Sequence, residues 1–380
     1  MSSISEYILG FYDGPHATPK EASEGPIFLG IKNVTPDGRL DFSEIRHVSD
    51  NEFPRWTKRV TPQKDDVVFT YEATLHRYAI IPEGFHGCLG RRMALMRPDT
   101  TKVFPQFLHY YCLSSAWRKE AEASVISGAT VDRIPLTKVP GFHVDFPEIN
   151  IQKRIATILS AYDDLIENNR RRIALLEEAA RLLYREWFVH FRFPGHEHVK
   201  IVDGVPEGWR FIKVQDAVKR HPPGKLYAQK NALNEGKVPI LDQGQSGLIG
   251  FHNEEPSFLA STDDPVIVFA NHTCYQRLIH YPFSAIQNVL PFKPGAEVPD
   301  EIYWLHHATE GLIKLNAYKG HWPEFSAKEF IVPSDDLAME FSNIVRPQHL
   351  QIYKLNEQNI HLAMARDLLL PRLMDGRLEV

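Results

Sequence analysis

The chain has 380 residues, 43% of them hydrophobic, 11% aromatic and 24% charged, which is too long for one compact core and suits two domains. Its 43 Lys and Arg are outnumbered by 48 Asp and Glu, a formal charge of −5 that excludes a protein coated in positive charge but not one that keeps its basic residues in patches. Three scattered cysteines, Cys88, Cys112 and Cys274, form no C-x-x-C pair, which excludes a disulfide scaffold and a thiolate zinc site and suits a reducing cytosol.

The chain starts Met1-Ser2-Ser3-Ile4-Ser5-Glu6, without the basic and apolar stretches of a signal peptide. No run reaches the roughly 18 apolar residues that cross a bilayer. A cytoplasmic location with no membrane contact is the expectation.

In chain order, the first globular part holds Pro26-Ile27-Phe28, a buried strand at Asp65-Asp66-Val67-Val68-Phe69 after a polar turn, and the segment Met93–Pro98. A helix-like stretch begins at Pro105-Gln106-Phe107-Leu108, and a Gly128…Ile134…Val139 pattern leads out. The same order returns later: Pro239-Ile240-Leu241, Asp263-Asp264-Pro265-Val266, Val289–Pro294, Pro299-Asp300-Glu301-Ile302, and Gly320…Phe325…Phe330. The offsets shrink steadily from about 213 to about 192, and to about 187 between Ile173-x-Leu175 and Ile360-x-Leu362. Chance matches would scatter. The chain is an internal duplication.

Each globular part leads into one long helix. From Pro147 to Phe188 no Gly or Pro intervenes, and apolar residues recur at steps of three and four: Leu159, Tyr162, Ile166, Asn169, Ile173, Leu176, Ala180, Leu183, Trp187. Asn169 is placed to fix register in that seam. Some 40 residues make a rod of roughly 60 Å. The second helix follows Pro333, with a seam of Phe341, Val345, Gln348, Ile352, Leu355, Asn359, Leu362, Arg366, Leu369 and Leu373. Pro347 and Pro371 predict a kink and a frayed end. One such apolar face cannot be buried alone, so the two helices are expected to pack on each other.

Signatures of chemistry are missing. Gly244-x-x-Gly247-x-x-Gly250 has the wrong spacing for a dinucleotide loop, and no phosphate loop exists. Asp264-Pro265-Val266 lacks the second proline and the aromatic of an amino-methyltransferase motif. The single [DE]-x-K, Glu235-Gly236-Lys237, lies far from every Pro-Asp pair, against a metal-dependent nuclease. His196-x-His198 and His306-His307 lack further ligands at usable spacing, so no metal is expected.

Duplicated globular parts, two long helices and no catalytic motif resemble the DNA-specificity subunit of a type I restriction–modification system. The resemblance is carried by Pro147-x-x-x-x-Gln152-x-x-Ile155-x-x-x-Leu159-x-x-x-Asp163-x-x-Ile166, by Ile173-x-x-Leu176-Glu177-x-Ala179-x-x-Leu182, and by Trp187-Phe188. Gly204-Val205-Pro206-Glu207-Gly208-Trp209, Ser127-Gly128-Ala129-Thr130-Val131 and Leu370-Pro371-Arg372-Leu373-Met374 add to it. Departures are Ile151 where the family carries an acidic residue, and Ala338-Met339-Glu340 in place of the second Pro-x-x-x-x-Gln.

The resemblance implies an α+β fold: two mixed α/β target recognition domains joined by two long antiparallel coiled-coil helices, with an internal pseudo-two-fold repeat. On that basis residues 1–146 are the first recognition domain and 147–190 the first helix. Residues 191–334 are the second recognition domain with its entry linker, and 335–380 the second helix. It further implies a non-catalytic reader of a bipartite site in double-stranded DNA, one half-site per domain, with the helices setting the gap. Methyltransferase subunits and a restriction/translocase subunit would be partners. S-adenosylmethionine, ATP and Mg would serve those partners, and this chain would hold no cofactor.

DNA contacts need Lys and Arg for phosphates and donors for base edges. From Trp209 to Lys237 there are seven basic residues, including Lys213, Lys219, Arg220, Lys225 and Lys230, against two acidic ones, with Tyr227 interleaved. The stretch from Phe251 to Val345 holds 13 acidic and 5 basic residues, so the overall charge averages unlike parts. Candidates in the first half are Arg55, Lys58, Arg59, His76, Arg77, Arg91 and Arg92, and Tyr275 with Arg277 occupy a comparable place in the second. The family's base-reading residues vary with the target, so none transfers by position. The competing readings are a protein-interaction scaffold with duplicated binding domains and a diverged DNA methyltransferase or nuclease.

Overall fold

The computed structural model describes residues 2–127, 131–244, 247–315 and 320–380, which leaves Gly128-Ala129-Thr130 of the Ser127–Val131 motif outside the described residues. The chain divides into two compact units, Met1–Glu167 with Asn359–Val380, and Asn168–Gln358. Both divisions fall inside the long helices, so each unit owns part of both.

The first unit is built on a four-stranded sheet ordered Ile8–Asp13, Met93–Pro98, Val67–Thr70, Tyr78–Ile80. The Val67–Thr70 strand is buried along its whole length, as its unbroken apolar run dictates for a strand covered on both faces. A second sheet pairs Arg46–His47 and Gly87–Leu89 with Ala22–Leu29, the latter pair parallel with Ile27 opposite Gly87. The second unit repeats this. Its four-stranded sheet runs Val218–Arg220, Val289–Pro294, Val266–Ala270, Gln276–Ile279, and its three-stranded sheet Leu248–His252, Val238–Leu241, Ser284–Ala285. The parallel pair recurs too, with Ile240 opposite Ser284. Register is also repeated: Val67 faces Met96 in one unit and Ile267 faces Phe292 in the other. A short strand pair closes each unit, Ser2–Ser3 with His143–Val144 and Arg210–Lys213 with Glu329–Val332. The matches found by self-comparison of the sequence are therefore matches of topology.

A short helix, Pro105–Leu113 or Ile302–Thr309, lies behind each four-stranded sheet and brings it to the long helices. The first long helix spans Ile149–Tyr184 and ends in a π turn, Arg185–Val189, which carries the buried Trp187 and Phe188. The second spans Asp335–Met374. It continues past Pro347 and runs beyond Pro371 to Met374, so the expected frayed end at Pro371 does not occur. Proline removes one intrahelical hydrogen bond, and at the exposed Pro347 water can satisfy the carbonyl left over. At Pro371 the carbonyl still accepts from Asp375 N at 3.1 Å, carrying the helix to its last turn.

In the first unit Ile155, Ala156 and Leu159 share a core with Val67, Met96, Phe107 and Leu373. In the second, Ala180, Trp187 and Phe188 share one with Ile267, Phe292, Trp304, Phe341 and Val345. Early residues of one helix meet late residues of the other in each unit, so the pairing is antiparallel. Every seam position named from the sequence is buried or half-buried: Leu159, Tyr162, Ile166, Asn169, Ile173, Leu176, Ala180, Leu183 and Trp187 on the first helix. The same holds for Ile352, Leu355, Leu362 and Leu369 on the second. Truncating Leu159, 0% exposed, to Ala costs about 3 kcal/mol by the usual large-to-small rule. Among the described residues, no helix is long and apolar enough to cross a membrane.

Candidate nucleic-acid interface

The basic segment Trp209–Lys237 wraps the small sheet of the second unit. Leu226 bridges to Ala285 at one edge of that sheet and Leu233 to Phe251 at the other. Its strand Val218–Arg220 forms the edge of the four-stranded sheet, with Lys219 directly opposite Lys293. Like charges facing across strands repel unless one is neutralised. Lys293 is neutralised by Asp264, leaving Lys219 exposed and, among the described residues, without a salt bridge. Lys213 and Lys230 are likewise exposed and have no salt bridge among the described residues. Arg220 lies 4.7 Å over the Trp322 ring, and Lys225 pairs with Glu254. Tyr227 is 8% exposed and stacks on His252 at 4.3 Å, so it belongs to the interior and offers no face to a base.

In the first unit, Arg55 and Lys58 at the end of the Phe53–Trp56 helix are exposed and, like Arg91, have no salt bridge among the described residues. Arg59 pairs with Asp13, and Arg92 gives its Nε–H to Glu72 at 2.9 Å. His76 faces Glu122 at 2.8 Å, and burial nevertheless lowers its pKa. Arg77 donates to the Val34 carbonyl at 3.0 Å.

Tyr275 is 38% exposed. Arg277 is not: its Nη2 donates to the Asp242 carbonyl at 2.7 Å and its Nη1 to the Gly247 carbonyl at 3.1 Å, and burial pulls its pKa down. Sequence reasoning placed it among the DNA contacts because charge near a turn reads as surface. The structure spends its donors on the protein's own backbone.

Two arrangements of polar side chains escaped the sequence. The first is an ion pair present in both copies. Arg97 clasps Asp66 with Nε at 2.8 Å and Nη2 at 2.7 Å, and Lys293 meets Asp264 at the matching places. The aligned Asp65-Asp66 and Asp263-Asp264 turns were the available signal.

The second is how each unit holds the long helices with polar groups. In the first, Arg366 Nη1 donates to Asp163 at 2.5 Å, and Tyr110 Oη donates to the other Asp163 oxygen at 2.6 Å. Burial, then Asp163, pushes the Tyr110 phenol up. Gln152, 1% exposed, accepts from Phe104 N at 2.8 Å and donates to the Pro147 carbonyl at 2.8 Å, which gives the Pro147-x-x-x-x-Gln152 spacing its physical reason.

In the second unit the corresponding place is filled by histidines. His307 Nε2 and His349 Nε2 stand 3.0 Å apart, and His306 Nδ1 faces the Gln276 amide at 3.1 Å. Burial lowers His280 to about 4 and, with His307 adding to it, His306 to about 3. His349 is driven well down by burial and by His306. Burial therefore disfavours the charged form of His280, His306 and His349. Among the described residues no group of three or more His, Cys, Asp or Glu is arranged to hold a metal ion.

The same α+β unit occurs twice with segments of both long helices in each, and among the described residues each copy carries exposed cations without a salt bridge, Lys219 on a sheet edge among them. Residues 30–178 match the family model described as the type I restriction modification DNA specificity domain. Over its whole length the chain is 24% identical to the type I restriction enzyme MjaIX specificity subunit of Methanocaldococcus jannaschii, spanning 89% of that protein. It is 22% identical to the HindI specificity subunit of Haemophilus influenzae over 60% of this chain and 50% of that one. The crystal structure of a type I system S subunit from M. genitalium superposes with a TM-score of 0.52 at 16% identity, covering 98% of this chain and 95% of that one, and shares the fold. Along its whole length the chain is thus similar to specificity subunits of type I restriction–modification systems, and residues 30–178 carry the match to the DNA specificity domain.

Proposed function

We propose that this chain reads a bipartite site in double-stranded DNA, one half-site per unit, and that the two long helices set the unspecified gap. The observation that carries this is the duplication itself: the same sheets, register and ion pair occur twice, each copy holding antiparallel segments of both helices. Two-headed readers space their half-sites by the geometry of the element that joins the heads. Exposed Lys213, Lys219 and Lys230 in the second unit, and Arg55, Lys58 and Arg91 in the first, serve as phosphate contacts. Methyltransferase subunits and a restriction/translocase subunit join this chain. They bring S-adenosylmethionine, ATP and Mg, and this chain supplies the address.

The test is selection from a random duplex pool by the chain co-purified with its system's methyltransferase subunits, followed by titration in salt. Enrichment of two short motifs at a fixed gap, with affinity falling about a thousandfold between 50 and 200 mM salt, is expected of a reader that neutralises several phosphates. A salt-insensitive complex that enriches nothing would favour a protein-interaction scaffold.

A further inference from the structure

We propose that Arg77 and Arg277 are positioning residues for target recognition, each locking the loop that follows the parallel strand of its own unit, and that neither touches DNA. This rests on the bipartite-reader function above and names the loops that do the reading.

The device occurs twice. In the second unit the loop after Val238–Leu241 is gripped at both ends, because Arg277 donates to the carbonyls of Asp242 and Gly247. In the first unit the loop after Ala22–Leu29 is gripped by Arg77 through the Val34 carbonyl. Both arginines stand at the start of the strand that follows the central one, Tyr78–Ile80 and Gln276–Ile279. Two divergent copies have kept a guanidinium spent on loop carbonyls.

Gly247 shows how closely the grip fits. Its φ is +69°, and a Cβ built there would lie 1.5 Å from Arg277 Nη1, so only glycine leaves room for the guanidinium. The gripped loop is also tied to its neighbour. Gln243 Oε1 accepts from His272 N at 2.8 Å, and Thr273 Oγ1 donates to the Gln243 carbonyl at 2.5 Å. Asp242, Gln243 and Gly247 are therefore tied both to Arg277 and to the His272–Thr273 turn. A base-reading edge must be held to a fraction of an ångström, and that is what the arginine supplies.

The experiment is the duplex selection above, run with Arg277→Ala, Gly247→Ala and Arg77→Ala in the full chain. Arg277→Ala is expected to lower discrimination at one half-site by about tenfold or more, a typical mismatch penalty, with the other half-site intact. The slope of log affinity against log salt should not change, because no phosphate contact is lost. Gly247→Ala keeps every charge but evicts the guanidinium, so it should reproduce the loss at the same half-site. It also carries the test if Arg277→Ala fails to fold. Arg77→Ala should affect the opposite half-site. A slope that falls by about one with both half-sites retained would make Arg277 a phosphate contact and overturn the inference. So would undiminished discrimination in both Arg277→Ala and Gly247→Ala. A wild-type complex that selects no motif would instead overturn the reader function itself.

Discussion

The two units solve one packing problem with opposite chemistry. Each must seat a short helix, Pro105–Leu113 or Ile302–Thr309, against the long helices and fill the polar gap between them. The first unit uses charge: Arg366, 7% exposed, is paired with Asp163, and Tyr110 completes the carboxylate. The second uses imidazoles, His280, His306, His307 and His349, all below 9% exposed, and burial holds His280, His306 and His349 below the usual histidine range. A buried ion pair must be paired to be tolerated, whereas a buried histidine must stay unprotonated. Duplication preserved the backbone and left the polar filling free to diverge, so the two heads of one chain should respond to different insults.

Acid should expose this most strongly. His280 and His306 titrate near about 4 and 3 in the folded unit, against about 6.5 unfolded. The unfolded chain thus binds more protons below pH 6.5, and stability is lost as pH falls from there toward the folded values. At pH 5 the loss is about 2 kcal/mol per histidine, so about 4 kcal/mol for these two. Hydrogen exchange at pH 7 and pH 5 should show the second unit losing protection first. Equal loss in both units would break the contrast.

The next largest effect belongs to the first unit. Arg366→Ala leaves Asp163 without its cation and should cost about 3 kcal/mol, while Asp163→Leu with Arg366→Met should restore most of it. Denaturant unfolding of the three proteins measures both.

A smaller contrast separates the duplicated ion pairs. Asp66 has a side chain 2% exposed under a bidentate Arg97, and Asp264 has one 67% exposed beside Lys293. Asp66→Ala should cost about 2–3 kcal/mol and Asp264→Ala under about 1 kcal/mol, read by thermal unfolding. Smallest of all, Lys230→Ala should leave the selected sequence alone and shift the salt slope by about one.

These differences mark where sequence is legible and where it stops. The seam could be read because helical periodicity is a one-dimensional signal, and Leu159, Ile166, Leu355 and Leu373 fall where it places them. The duplication could be read because strand order survives insertion and deletion. Pro371 misled because the proline carbonyl still accepts from Asp375 N, which carries the helix past it. Arg277 and Tyr227 misled because composition counts charges and rings without saying which way they point. The histidine cluster was invisible for the same reason: His280, His306 and His349 meet only when a strand end, a short helix and a long helix are folded together.

The central claim is that one chain holds two readers at a distance fixed by its helices. Matched seven-residue insertions after Glu167 and after Gln358, the boundaries between the units, keep the heptad and lengthen each helix by about 10 Å, roughly three base pairs. Sequencing the duplexes selected by the wild-type and lengthened chains tests the claim directly. The account predicts unchanged half-sites separated by a gap about three base pairs longer, and an unaltered gap would contradict it.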